Sequence, residues 1–134
     1  MNIRWIAIVG ALVAAAGVAL GAFGAHGLEK QLQSLGRTAN LDQRMAWFDT
    51  AVRYHMYHAL AMVVASALAA RGASGWQQAA AAAFLVGVAL FSGSLYAMTF
   101  GEDSWKWLGR VTPLGGLAFL IGWICVAIAA WRSG

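Results

Sequence analysis

Four runs of mostly apolar residues constrain this chain more than any other feature. They cover residues 5–25, 51–70, 76–98 and 111–131. About 20 apolar residues are what a helix needs to cross the hydrocarbon layer of a bilayer. Backbone polar groups in lipid have no water to bond, so each run must satisfy its own and is expected to be helical. Composition agrees, since 61% of the 134 residues are hydrophobic and 10% are charged, against about 25% charged in a soluble domain. The expected fold is an all-α membrane protein, a single four-transmembrane-helix bundle over residues 1–134.

The first run resembles a secretory leader in one respect, because Arg4 precedes it and small residues end it. A leader's apolar region spans only about 7–15 residues. This run is longer and three more follow, so it reads as a retained helix. The net charge of +4 is spread as single Arg and Lys residues beside apolar runs, the placement of interfacial anchors. A nucleic-acid binder would gather them in a basic patch, so no nucleic-acid partner is expected. The single cysteine, Cys125, lies within an apolar run. It reads as a small core residue and excludes an intramolecular disulfide or a cysteine-rich metal site.

The connections differ in kind. "RGASG" (71–75) reads as a tight turn, "GEDSWKWLGR" (101–110) as a modest loop, and 27–50 as a long polar piece. Within that piece, Asn40 followed by Gln43 resembles a capping box. Leu41, Met45, Phe48, Val52, His55, Ala59 and Met62 then recur at spacings of 4, 3, 4, 3, 4 and 3, which is helical periodicity. The second helix is therefore expected to begin near Leu41. It runs about 30 residues, or about 45 Å, a long second helix extending beyond the bilayer.

Four crossings put both termini on one side, A, and define an opposite side, B. Trp5, Trp76 and Trp131 then fall at A, while Trp47, Trp105 and Trp107 fall at B, as aromatic belts require. All five acids (Glu29, Asp42, Asp49, Glu102 and Asp103) land on B, as do His26, Arg53, His55, His58 and the Thr112-Pro113 helix start. Arg and Lys number three on A (Arg4, Arg71, Arg132) and six on B (Lys30, Arg37, Arg44, Arg53, Lys106, Arg110). The positive-inside rule then favours a cytoplasmic side B.

Side B is also where candidate chemistry gathers. His55 and His58 stand three residues apart, so their side chains diverge by only about 60° around a helix. With His26 ending the first span on the same side, three imidazoles are expected to be able to converge. They can then bind a ligand, ligate haem or a metal, or hydrogen-bond between helices. Asp49 and Arg53 have the spacing of an intrahelical ion pair, with Arg53 free to hold an anionic group instead. Tyr54 reads as an interfacial anchor or a site neighbour. Thr112 reads as an N-cap with Pro113 at the first helical position, and this helix start is a second candidate for receiving an anion. Gly17, Gly21 and Gly24 in the first span, Gly93 in the third, and Gly115 and Gly116 in the fourth are candidates for close helix packing. Gly87, Ala89 and Ser94 extend the third span's small-residue face, and Ser92 and Ser94 can bond across helices. No nucleophile–base–acid set, phosphate loop or paired intramembrane carboxylates is visible, so catalysis is not the expectation.

Together "GAFGAHGL" (21–28), "TAVRYHMYHALA" (50–61), "LFSGSLY" (90–96) and "TPLGGLAFLIGW" (112–123) resemble, in order, an uncharacterised family of small inner-membrane proteins. That family includes YgdD and YwdK and is related to eukaryotic transmembrane protein 256. The resemblance implies a multi-pass protein of the bacterial-type inner membrane and brings no catalytic or cofactor residues with it. The function expected is a binding or accessory bundle that engages a lipid, a quinone-like ligand or a partner at its His/Arg-bearing end. The alternatives are a haem- or metal-binding redox protein using His26, His55 and His58, and small-solute transport by an oligomer. The bilayer is the expected partner, with a homo-oligomer or another membrane protein as further possibilities.

Overall fold

The structure, a computed structural model, describes residues 3–69, 72 and 75–132. It is all-helical, with no strand among the described residues. The elements are α1 (Arg4–His26), α2 (Leu28–Ser34), α3 (Leu41–Leu68), α4 (Gly75–Gly87), a π-helical turn (Val88–Ser92), α5 (Gly93–Phe100), a 3-10 segment (Asp103–Arg110) and α6 (Thr112–Arg132). Among the described residues, three helical stretches are long and apolar enough to cross a membrane: Arg4–His26, Gly75–Phe100 and Asp103–Arg132. The 28-residue α3 is not among them. Its arginines, carboxylates, histidines and tyrosines dilute its apolar character.

α3 is the hub. It packs against α1, α2, α4, α5 and α6, while α6 closes on α4 and the π turn. Glycine sets how closely these helices meet. A Cβ at Gly17 would strike Met56, and one at Gly24 would lie 2.9 Å from Phe48 Cε1. Between α4 and α6 the fit is reciprocal: Phe119 lies over Gly87, and Phe84 lies over Gly122. Phe91 of the π turn lies against Gly115. Small-on-large seating of this kind supplies the van der Waals contact that holds helices together in lipid, where apolar burial gives no advantage. Other predicted packing glycines meet less. The nearest atom to a Cβ is 3.5 Å away at Gly21 and 3.9 Å away at both Gly93 and Gly116.

Three cores result among the described residues. Ile6, Ala61, Met62, Ala80, Ala81, Phe84, Phe119 and Cys125 pack together on the side of the termini, where Arg132 lies over the Trp76 ring. Leu28, Leu32 and Phe48 form a second, on side B, with Tyr96 and Phe100 against them, and Ala51, Leu95 and Met98 form a third. Outside, Leu12, Val18, Val86, Leu117, Leu120 and Ile124 are exposed, an apolar surface that suits lipid and not water.

Several local expectations are corrected. The 27–50 piece is not wholly a polar connector, because α2 docks through buried Leu28 and Leu32. α3 does begin at Leu41, but Asn40 adopts the left-handed conformation (φ 58°) and its side chain makes no cap bond, so there is no capping box. Asn is the residue type besides Gly that tolerates this conformation. The stretch 101–110 holds an exposed 3-10 helix rather than a loop. The third span is continuous but carries a π turn, beside which the Ser92 hydroxyl bonds the Ala51 carbonyl at 2.8 Å. Ala89, expected on its packing face, is exposed. Of the turn predicted at 71–75, residues 71, 73 and 74 lie outside the described residues, as does residue 70 at the end of the second apolar run.

Candidate functional site

The polar residues of α3 are sorted by depth. His55 is buried, and its Nε2 lies 2.8 Å from the Val13 carbonyl of α1 while Nδ1 lies 3.2 Å from the Tyr96 hydroxyl of α5. A carbonyl can only accept, so Nε2 donates to Val13, while Nδ1 shares a hydrogen bond with the Tyr96 hydroxyl, which is able to donate or accept. His58 is wired the opposite way. Its Nδ1 donates to the Tyr54 carbonyl at 2.7 Å, and its Nε2 accepts from Trp123 Nε1 of α6 at 3.3 Å. The His58 ring also lies flat on Phe119, with ring centres 3.4 Å apart. Both imidazoles thereby tie α3 to neighbouring helices, and both nitrogens of each ring have a partner.

The expected convergence of three histidines is corrected. Val13 lies thirteen residues before His26 on α1, about 20 Å along the axis. His55 is therefore level with the middle of α1, while His26 is exposed at its end. Among the described residues, no group of three or more His, Cys, Asp or Glu is placed to hold a metal. Arg53 pairs with Asp49, both of them exposed. Tyr54 stacks on Phe91 at 4.6 Å. Thr112 is the first residue of α6 rather than its N-cap. Its hydroxyl meets Ser94 at 2.7 Å, and the Leu114 and Gly115 amides behind it bond the Val111 carbonyl. The six candidate binding residues therefore do not form one site.

Arg44 escaped the sequence reading. It is 3% exposed, and one guanidinium nitrogen reaches the carbonyls of Met98 (3.0 Å), Thr99 (2.8 Å) and Gly101 (2.9 Å), while the other bonds Asp103 at 3.1 Å. Arg37 takes the Phe100 carbonyl at 3.1 Å. Two cations thus close the carbonyl end of α5, where the helix dipole is negative and acceptors lack intrahelical partners. On the exposed 3-10 segment, Lys106 beside Asp103, helped by Arg44, holds that carboxyl below the usual carboxylate range. The signal for Arg44 was present. It starts a row with Phe48, Ala51, His55, His58 and Met62, at spacings of 4, 3, 4, 3 and 4, and every member of that row is buried.

The open space lies elsewhere, where α1, α2 and α3 meet on side B. An apolar trough of about 430 Å³ runs between Gly21, Gly24 and Ala25 of α1 and Met45, Ala46 and Val52 of α3, with Asp49 at its edge. It adjoins a polar trough of about 490 Å³ that shares Gly24, Ala25 and Met45 and adds His26, Glu29, Lys30 and Gln33. Glycine and alanine on α1 create the hollow, because larger side chains there would fill it. Of the predicted site residues, His26 lines this space directly, and Arg53 touches it only through its pairing with Asp49.

Comparison with known proteins gives the chain its family. The family profile described as "Protein of unknown function (DUF423)" matches residues 20–116. UPF0382 membrane protein YwdK of Bacillus subtilis is 44% identical over 125 residues, covering 92% of this chain and 93% of that protein. A UPF0382 membrane protein of Haemophilus influenzae is 40% identical over 116 residues, with 87% and 85% coverage. UPF0382 inner membrane protein YgdD of Escherichia coli is 34% identical over 133 residues, with 98% and 93% coverage. No solved structure matches. Matching relatives along nearly the whole chain, and apolar helices able to span a bilayer, make this an inner-membrane protein of the DUF423/UPF0382 family, whose function is unknown.

Proposed function

We propose that α3 crosses the membrane as well, completing a four-span bundle, and that the protein binds a membrane phospholipid where α1, α2 and α3 meet on side B. A fourth crossing is supported by the direction of α3's polar groups. Arg44, His55 and His58 are buried against other helices, and Leu60, Val63 and Val64 are exposed. The exposed ionisable residues Asp49 and Arg53 are paired with each other in the part of α3 nearer side B. Ionisable residues are tolerated in a bilayer when they face the bundle interior and are paired there. At 28 residues, α3 is about 42 Å long, enough to cross and to project past the core on side B.

The binding reading rests on one observation, the apolar trough joined at Gly24, Ala25 and Met45 to a trough bearing charges. Its size falls within the roughly 300–1,000 Å³ of ordinary ligand sites, and apolar space beside polar space is the outline of an amphiphile. The test is photolabelling with a phospholipid carrying a diazirine in its acyl chain. Adducts should concentrate on residues 21–28 and 45–52 and fall at least several-fold in Ala46→Phe, which fills the trough from an exposed position. Labelling that instead follows the outward apolar faces, such as Leu117 and Leu120 of α6, would refute the reading.

A further inference from the structure

The charges around the polar trough narrow the headgroup. Glu29 and Lys30 stand side by side on α2 and both line it, with His26 and Gln33. None of the ion pairs among the described residues involves Glu29 or Lys30, and the Glu29 carboxylate meets only Gln33 Nε2, at 3.2 Å through Oε1. Asp49 adds a second carboxylate at the edge of the neighbouring apolar trough, balanced by Arg53. One end of an amphiphile-shaped hollow therefore offers an unpaired ammonium and an unpaired carboxylate together.

Resting on the phospholipid reading above, we infer that the trough selects a zwitterionic phospholipid whose headgroup ends in a primary ammonium, of the phosphatidylethanolamine type. Lys30 and His26 can donate to its phosphate. Glu29 is a pure acceptor without an ion-pair partner among the described residues and calls for a headgroup that can donate. A primary ammonium supplies three N–H groups and makes charge-assisted bonds. A trimethylammonium supplies none and is recognised by aromatic cages, whereas no aromatic residue lines the polar trough. A glycerol headgroup carries no cation and would leave the Glu29 carboxylate without a counter-charge.

The test is native mass spectrometry of the full chain released from nanodiscs of equimolar phosphatidylethanolamine, phosphatidylcholine and phosphatidylglycerol. Phosphatidylethanolamine should be retained about tenfold over the other two, as expected when a charge-assisted bond is made to one headgroup alone. The double variant Glu29→Gln, Lys30→Met should abolish that preference while keeping a bound lipid, and Ala46→Phe should remove the lipid altogether. Retention of phosphatidylglycerol or phosphatidylcholine at equal or greater level, still lost in Ala46→Phe, would overturn the headgroup assignment and leave the trough reading standing. Absence of retained lipid in the wild type, or retention unchanged by Ala46→Phe, would remove both.

Discussion

His55 Nε2 sits 2.8 Å from the Val13 carbonyl, tying the least apolar long helix of the bundle to the middle of α1. Tyr96 completes the tie from α5. Interhelical hydrogen bonds in membranes contribute about 0.6 kcal/mol on average and up to about 1.7. A double-mutant cycle on His55→Phe and Tyr96→Phe, read from unfolding in detergent, should give a coupling within that range. No coupling would mean that the contact contributes nothing to holding α3 to α5.

Arg44→Met should be among the most damaging single changes in the chain. It strips a guanidinium from three carbonyls in a buried setting, a loss of about 2–4 kcal/mol. Arg44→Lys keeps the charge but loses the planar fork and should recover only part of the stability. Asp103→Asn should matter little, because that carboxylate is largely exposed. Thermal midpoints in detergent order the three variants, and hydrogen exchange at residues 98–103 should rise first in Arg44→Met.

Glycine substitutions should separate into two groups. Ala at Gly87, Gly115 or Gly122 collides with Phe119, Phe91 or Phe84 and should destabilise by about 1–3 kcal/mol through overpacking. Ala at Gly116 meets nothing nearer than 3.9 Å and should be neutral or stabilising by up to about 1 kcal/mol, since Ala favours the helix. Stability assays on the four variants check this, and equal effects at all four would contradict the aromatic seating.

The excess of basic residues on side B predicts that both termini lie on the periplasmic side. A reporter fused after Gly134 should be active if it requires export and silent if it requires the cytoplasm. The opposite pattern reverses the orientation.

How much of this was legible beforehand follows from what each feature depends on. Helix existence and the start at Leu41 rest on local period and apolar run length, and both are visible in one dimension. The 3-10 segment and the π turn are not. The π turn sits where backbone meets its neighbours, with Phe91 seated on Gly115 and Ser92 bonded to the Ala51 carbonyl. His55 and His58 stand out in the sequence, but counting turns from the membrane edge does not say which carbonyl or ring each one meets. Arg44 was counted as one more positive charge, although it lies in the same row as both histidines, because charge alone does not distinguish an anchor in the headgroups from a cap on another helix.

The sequence by itself determined that this chain enters a membrane and does so as helices, since apolar run length and backbone hydrogen bonding leave lipid no other solution. It also determined which end carries the acids. Only the tertiary structure decided that α3 is the hub and that its histidines are consumed as ties while His26 stands apart. It alone placed an open hollow, apolar at one end and charged at the other, beside Gly24 and Ala25. The reason is physical: a hollow is made by what small side chains fail to fill between helices, and that depends on how the helices are placed against each other.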